Sequence, residues 1–185
     1  MNEYIKSDLY RCYGKTGFRT FIRGMLEDPG FNYMFWLRMC QAGGTRKMFA
    51  LPIHKWKRTF GKINIGYKCK IGYGLYIGHG GPCVVSDSAV IGDNCNLSQF
   101  VTIGANEGKA ADIGNNVYIG PGVCVVEHVT VGSNVTIGAG SVVVKDIPDN
   151  TTAAGNPAHV VSYKQPGRYI KNQWLEKKEY KWTVD

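Results

Sequence analysis

No run of about 18 apolar residues occurs in this chain, so nothing in it reads as a membrane-spanning helix. The first residues lack the basic-then-apolar pattern of a cleavable signal. Six cysteines are present (Cys12, Cys40, Cys69, Cys83, Cys95 and Cys124), but none stands in a CxxC pair, which argues against a zinc ribbon or a dithiol redox site. Without a sign of export, the expectation is a reducing cytoplasm with all six thiols free. Acidic residues are outnumbered, 14 against 22 basic ones, for a net charge of +8. A basic balance invites a nucleic-acid reading, yet the cations are spread over the N-terminal segment and the C-terminal tail with no nucleic-acid-binding motif among them. A site for an anionic cofactor, or for an acidic or lipid-linked acceptor, accounts for them as well.

What the chain has in excess is glycine, 24 residues, and order in where it falls. Small apolar residues recur at a spacing of six: Ile65, Ile71, Ile77, then Val85, Ile91, Leu97, Ile103, then Ile113, Ile119, Val125, Val131, Ile137 and Val143. Most are followed by glycine. A period of six suits neither a helix nor a simple strand; it is the signature of a parallel β-helix whose triangular coils take one hexapeptide per side. The aliphatic residue is expected to point inward and stack on its equivalents in neighbouring coils, and the glycine to take the bend beside it.

Two breaks interrupt the period. The step from Ile77 to Val85 is eight residues and holds Gly78-His79-Gly80-Gly81-Pro82; the step from Ile103 to Ile113 is ten and holds residues 105–112. Insertions in a solenoid become loops, and loops carry function. The chain therefore divides into a helical leader over 1–60, a β-helix over 61–147, and a turn, short strand and tail over 148–185. In the leader, residues 18–26, 31–40 and 48–60 read as helices, with Asp28-Pro29-Gly30 as a breaker. Phe31, Phe35, Trp36 and Met39 are expected to pack on the β-helix or a neighbouring subunit. A membrane-surface contact is the minority reading, suggested by Lys47, Lys55, Lys57 and Arg58 beside apolar residues. The tail, with Lys171, Lys177, Lys178 and Lys181, is expected to be disordered at its end.

Gly138-Ala-Gly-Ser-Val-Val followed by Ala153-Ala-Gly-Asn-Pro-Ala resembles the closing signature of hexapeptide-repeat acyltransferases. The run from Lys70 to His79, with Val84-Val-Ser-Asp-Ser-Ala-Val-Ile, resembles the serine acetyltransferase branch of that family. The resemblance covers roughly residues 61–165; the leader is like that branch only in being helical and short. It implies a left-handed parallel β-helix, a homotrimer with sites in the clefts between subunits, acetyl-CoA as acyl donor, no metal, and a histidine base, which His79 matches. An alcohol attacking a thioester must lose its proton as the C–O bond forms, and a neutral imidazole can take it at cellular pH. Backbone N–H groups of a glycine-rich loop can hold the oxyanion. Direct transfer needs no serine or cysteine nucleophile. By position, Gly104, Ala105, Pro121 and Ala139 match the family's contacts to the pantetheine arm, and Lys145 or Lys164 could meet the CoA phosphates. His54, His128 and His159 lack comparable settings and read as structural. A zinc β-helix of the γ-carbonic-anhydrase kind needs three histidines at coil-related spacing, and this repeat region has two.

The departures concern the acceptor. Where that branch has an aspartate before the catalytic histidine, this chain has Gly78; where it has an early aspartate that orients the histidine, this chain has Asn64; and the second insertion ends Lys109-Ala-Ala-Asp112 in place of an Arg-His pair. A zwitterionic amino acid needs charged partners once desolvated. With Asn64, Gly78 and Asp112 lining the acceptor site, the expectation is a sugar hydroxyl of a glycan or lipid-linked glycan precursor, as in surface-polysaccharide modification. L-Serine is then a poor acceptor, serine O-acetylation for cysteine biosynthesis is the alternative, and N-acetylation of an amino sugar stays open.

Overall fold

The computed structural model describes residues 2–175; the expectation of disorder at the end of the tail, with Lys177, Lys178 and Lys181, falls outside them. Four helices come first: α1 (Glu3–Tyr13), α2 (Phe18–Glu27), α3 (Pro29–Gln41) and α4 (Gly44–Phe60). The breaker read at Asp28-Pro29-Gly30 ends α2, with Asp28 as its C-cap, and the same residues start α3. Asp28 Oδ1 accepts the Phe31 N–H at 2.9 Å, and Pro29 occupies the first turn, where its missing N–H costs nothing. The sequence reading did not foresee α1. Asn2 caps it by accepting the Tyr4 N–H at 2.9 Å, Gly14 closes it at φ +66°, and Ile5 and Leu9, one turn apart, are its buried apolar residues.

The repeat then winds a parallel β-helix of three faces. The first face holds β1 (Ile63–Ile65), β4 (Cys83–Val85), β7 (Val101–Gly104), β10 (Cys124–Val126) and β13 (Val142–Val143). The second holds β2 (Lys70–Ile71), β5 (Val90–Ile91), β8 (Asp112–Ile113) and β11 (Thr130–Val131). The third holds β3 (Tyr76–Ile77), β6 (Asn96–Leu97), β9 (Tyr118–Ile119), β12 (Thr136–Ile137) and β14 (Thr152–Ala154), with β15 (His159–Ser162) added antiparallel. The parallel wall thus runs on to β14, past residue 147. The register is the one the period of six demands: Ile65, Val85, Ile103, Val125 and Val143 pair in one column. Ile71, Ile91, Ile113 and Val131 pair in a second, and Ile77, Leu97, Ile119 and Ile137 in a third. All thirteen are buried, so each coil's few aliphatic groups join one continuous core.

The glycines after them serve a different end from the bend expected. In the column Gly72, Gly92, Gly114 and Gly132, a Cβ would come within 2.6–2.8 Å of backbone atoms in the next coil. No left-handed φ occurs at these four. Close stacking of coils, not turn geometry, requires a residue without a side chain there. The left-handed positions lie elsewhere, at other glycines such as Gly74, Gly122 and Gly140 and at a column of asparagines, Asn116, Asn134 and Asn150, whose side chains bond one to the next at 3.0 and 2.9 Å.

Buried polar contacts seat the leader on the first coil. Arg38 donates to Asp8 through Nε (2.8 Å) and Nη2 (3.1 Å) and to the carbonyls of Ile71 and Gly72. Asp8 in turn accepts the Leu75 N–H at 2.9 Å. Arg11 donates to Gly74 O at 3.0 Å and to the Asn96 side chain. The tail returns across the third face: Arg168 N–H donates to Thr136 Oγ1, Tyr169 packs on Tyr118, and Trp174 N–H donates to Asn94 Oδ1 at 2.7 Å.

Helix α4 is tied to β1 through His54, which is 2% exposed with Nε2 3.1 Å from Ile65 O. Burial pushes its pKa below the ordinary value, the Ile65 carbonyl opposing. The unfolded chain takes this proton near pH ~6.5 and the folded protein only below that. The stability so contributed is complete above the unfolded pKa and is lost as pH falls through the window below it. Each pH unit there should cost about 1.4 kcal/mol. Urea midpoints at about pH 7.5 and about pH 5.5 should fall further apart in the natural protein than in His54→Gln, which keeps a donor but cannot titrate. Equal differences would remove His54 from the account.

Candidate active site

The first insertion leaves β3 at Ile77 and makes a single 3₁₀ turn over Gly78–Gly80. His79 stands in it at φ 59°, ψ 8°, a left-handed conformation that costs a residue with a Cβ roughly 1–2 kcal/mol. Its imidazole is exposed and has no hydrogen-bond partner among the described residues. The loop is wedged in place. A Cβ on Gly80 would lie 2.8 Å from Pro29 Cβ, one on Gly81 2.5 Å from Gln99 Cβ, and one on Gly30 2.6 Å from Ile77 O. The N-terminus of α3, with Asp28 as its cap, therefore rests against the histidine loop. An open cleft of about 520 Å³ lies alongside, with His79 and Gly80 on one side, Met25, Leu26 and Asn32 on another, and Trp56, Lys57 and Phe60 facing them.

The other positions singled out in the sequence fall on two edges of the triangular solid. His79 and Gly78 lie on the edge between the third and first faces, and so do Pro121, between β9 and β10, and Ala139, between β12 and β13. Gly104 and Ala105, at the end of β7, lie on the edge between the first and second faces, as does Lys145 after β13. Lys164 is exposed beyond β15, outside both rows. Asn64 sits in β1, where its Oδ1 accepts from Arg58 Nε; no bond joins it to His79 among the described residues. Gly78 has room, the nearest atom to a Cβ there being 3.6 Å away.

Asp112 opens β8, and it is not alone. Lys109 Nζ meets both its oxygens at 2.6 Å, and His128 Nε2, from the coil above, stands 3.3 Å from Oδ2. Burial works against the Asp112 carboxylate, but the Lys109 and His128 hydrogen bonds outweigh it and hold the pKa below the usual range. The sequence reading set His128 aside as structural. The signal that could have found it is the repeat itself: Thr130 pairs with Asp112, so His128, two residues earlier, falls over the end of the insertion loop.

The cysteines offer no nucleophile beside His79. Cys83, four residues on, is buried, and burial pushes its thiol up to about 12, where a thiolate is scarce at neutral pH. That leaves a lone imidazole base, a glycine loop, and small residues along an edge, which suits proton removal from an attacking hydroxyl.

Residues 110–145 match the family model described as bacterial transferase hexapeptide (six repeats). The chloroplastic serine acetyltransferase 1 of Arabidopsis thaliana is 41% identical over 127 residues, 66% of this chain and 40% of that protein. Among solved structures, soybean serine acetyltransferase complexed with serine has a TM-score of 0.74 at 30% identity, covering 85% of this chain and 68% of that one. The serine acetyltransferase of Brucella abortus strain S19 in complex with coenzyme A has a TM-score of 0.73 at 28% identity, covering 85% and 66%. The chain spans two-fifths of the length of the curated plant relative it matches.

These relatives overturn the expectation of a sugar acceptor, since they are named for serine and one holds serine in its structure. The expectation rested on counting charged partners within the repeat alone, at Asn64, Gly78 and Asp112. It could not place the leader, whose α3 start at Pro29 and Gly30 rests against the histidine loop, nor His128, which the coil geometry delivers to Asp112.

Proposed function

The chain belongs to the hexapeptide-repeat transferase family, on its serine acetyltransferase-like branch, and on that premise we propose that it is an acetyl-CoA-dependent serine O-acetyltransferase of cysteine biosynthesis. The observation that carries the proposal is His79: an exposed imidazole without a hydrogen-bond partner among the described residues, on a left-handed loop against which the start of α3 rests. In the reaction, the serine hydroxyl attacks the thioester carbonyl of acetyl-CoA while His79 takes its proton. The tetrahedral oxyanion collapses, the C–S bond breaks, and the proton held by His79 goes to the departing CoA sulfur. O-Acetylserine and CoA leave, and the imidazole is neutral again. Asp28 is the group we assign to the serine ammonium.

The division of candidate residues between two edges supports a homotrimer. Within one chain the first face separates His79, Pro121 and Ala139 from Gly104, Ala105 and the Lys109–Asp112–His128 cluster. A neighbouring copy would bring its second row to the first row of this one, closing a cleft for acetyl-CoA. The third face is already occupied by the chain's own tail, which leaves the other two for neighbours.

The test is CoA release with L-serine measured against free sugars. A kcat/KM of ~10⁴ M⁻¹s⁻¹ or more is the expected order for a natural substrate, and a sugar outperforming serine would overturn the assignment. Asp28→Asn keeps the helix cap, since asparagine caps as well as aspartate, but removes the charge. Losing one charged hydrogen bond should raise KM for serine by about tenfold or more with acetyl-CoA binding unchanged. An unchanged KM would take Asp28 out of the acceptor site.

A further inference from the structure

The leader has an exposed apolar surface that extends well beyond the cleft beside His79. One side of α2 exposes Phe18, Ile22 and Leu26, each four residues after the last, with Phe18 and Leu26 79% and 80% exposed. Helix α4 exposes Phe49, Trp56 and Phe60 at 70%, 61% and 76%. The two stripes meet at the open cleft, with Leu26 on one wall and Trp56 and Phe60 on the other. Apolar patches of this kind mark contact surfaces.

The charge around the patch says what kind of contact. Helix α4 carries Arg46, Lys47, Lys55, Lys57 and Arg58 and not one acid. Helix α2 adds Arg19 and Arg23 against a single acid, Glu27, which Arg23 already pairs at 2.7 Å. A second copy docked through the same face by a two-fold axis would set cations against cations, and Glu27, the only acid in α2 and α4, is already paired. A negatively charged bilayer satisfies both features at once: apolar rings and aliphatic chains enter the headgroup–acyl boundary while lysine and arginine meet phosphates. No helix among the described residues is long and apolar enough to cross a membrane, so the contact is one of lying on the surface.

We propose that the α2–α4 face docks this protein onto anionic phospholipid bilayers. The cleft beside His79 opens in that same face, so docking sets the mouth of the site against the headgroups. The proposal does not rest on the serine assignment, because vesicle binding is read without acceptor or acyl donor.

The experiment is sedimentation of the full chain with vesicles of phosphatidylglycerol or of phosphatidylcholine. Binding is expected to the first and not to the second, and should weaken at about 0.5 M salt as the phosphate contacts are screened. The double variant Phe18→Glu, Phe49→Glu removes two exposed rings away from the cleft and should weaken binding by about tenfold or more. Arg46→Glu with Lys55→Glu tests the charge alone and should do the same, while acetyl-CoA binding stays as in the natural protein for both variants. No binding to phosphatidylglycerol would overturn the proposal, as would binding that both variants retain. Light scattering that shows an assembly dispersed by Phe18→Glu, Phe49→Glu would also overturn it, and would assign the face to a second copy of the chain.

Discussion

Replacing His79 by alanine is expected to lower kcat for acetyl transfer by ~10²–10⁴-fold, the range that a positioned general base contributes, while acetyl-CoA binding stays nearly intact. The basis is geometric. His79 is exposed, free of any partner among the described residues, and held in a conformation that a residue with a Cβ adopts at a cost. Glycine would sit there more cheaply, so the imidazole is kept for its chemistry. The loop around it is fixed by Gly80 against Pro29 and Gly81 against Gln99, and these contacts do not involve the imidazole, so the variant should melt close to the natural protein. Steady-state kcat with a separate acetyl-CoA titration decides the matter. A variant within tenfold of natural kcat would end the general-base role.

Asp8→Ala is expected to be the most destabilising single change in the leader, by about 3–5 kcal/mol, because it leaves a buried guanidinium without its counter-charge. Arg38 and Asp8 are each about 1% exposed, and Arg38 is held by two bonds to that carboxylate in addition to the carbonyls of Ile71 and Gly72. The loss also orphans the Leu75 N–H. Against a typical total of 5–15 kcal/mol such a change is large, and the first coil and α3 should loosen together. Because α3 seats the His79 loop, activity should fall with stability here, whereas His79→Ala separates the two. Urea unfolding at fixed protein concentration measures the effect. A double variant, Asp8→Leu with Arg38→Met, should recover part of the loss, since an apolar pair leaves no charge buried. A cost below about 1 kcal/mol for Asp8→Ala would show that the pair does not anchor the leader.

The core of the fold was legible in the amino-acid order alone. Stacked coils present the same inward position to one another every turn, and only aliphatic side chains fill that column without a buried polar group. The constraint is therefore written as a period of six, from Ile65 to Val143, and each of these residues is buried in register. The break holding His79 was legible for the same reason, since extra residues cannot stay in the wall. Helix α1 was not, because its only buried apolar residues are Ile5 and Leu9, and its seat is made by Asp8 and Arg11, charged residues whose partners lie 30 to 85 positions away. Nor was the role of the glycines, where a neighbouring coil, not the local turn, leaves no space for a Cβ. The acceptor was misjudged for the same physical reason. Spacing along a repeat tells which groups share a column, but Pro29 and Gly30 reach the His79 loop through the docking of α3, and His128 reaches Asp112 through the rise of one coil. Such contacts depend on how distant segments pack, and only the tertiary structure decides them.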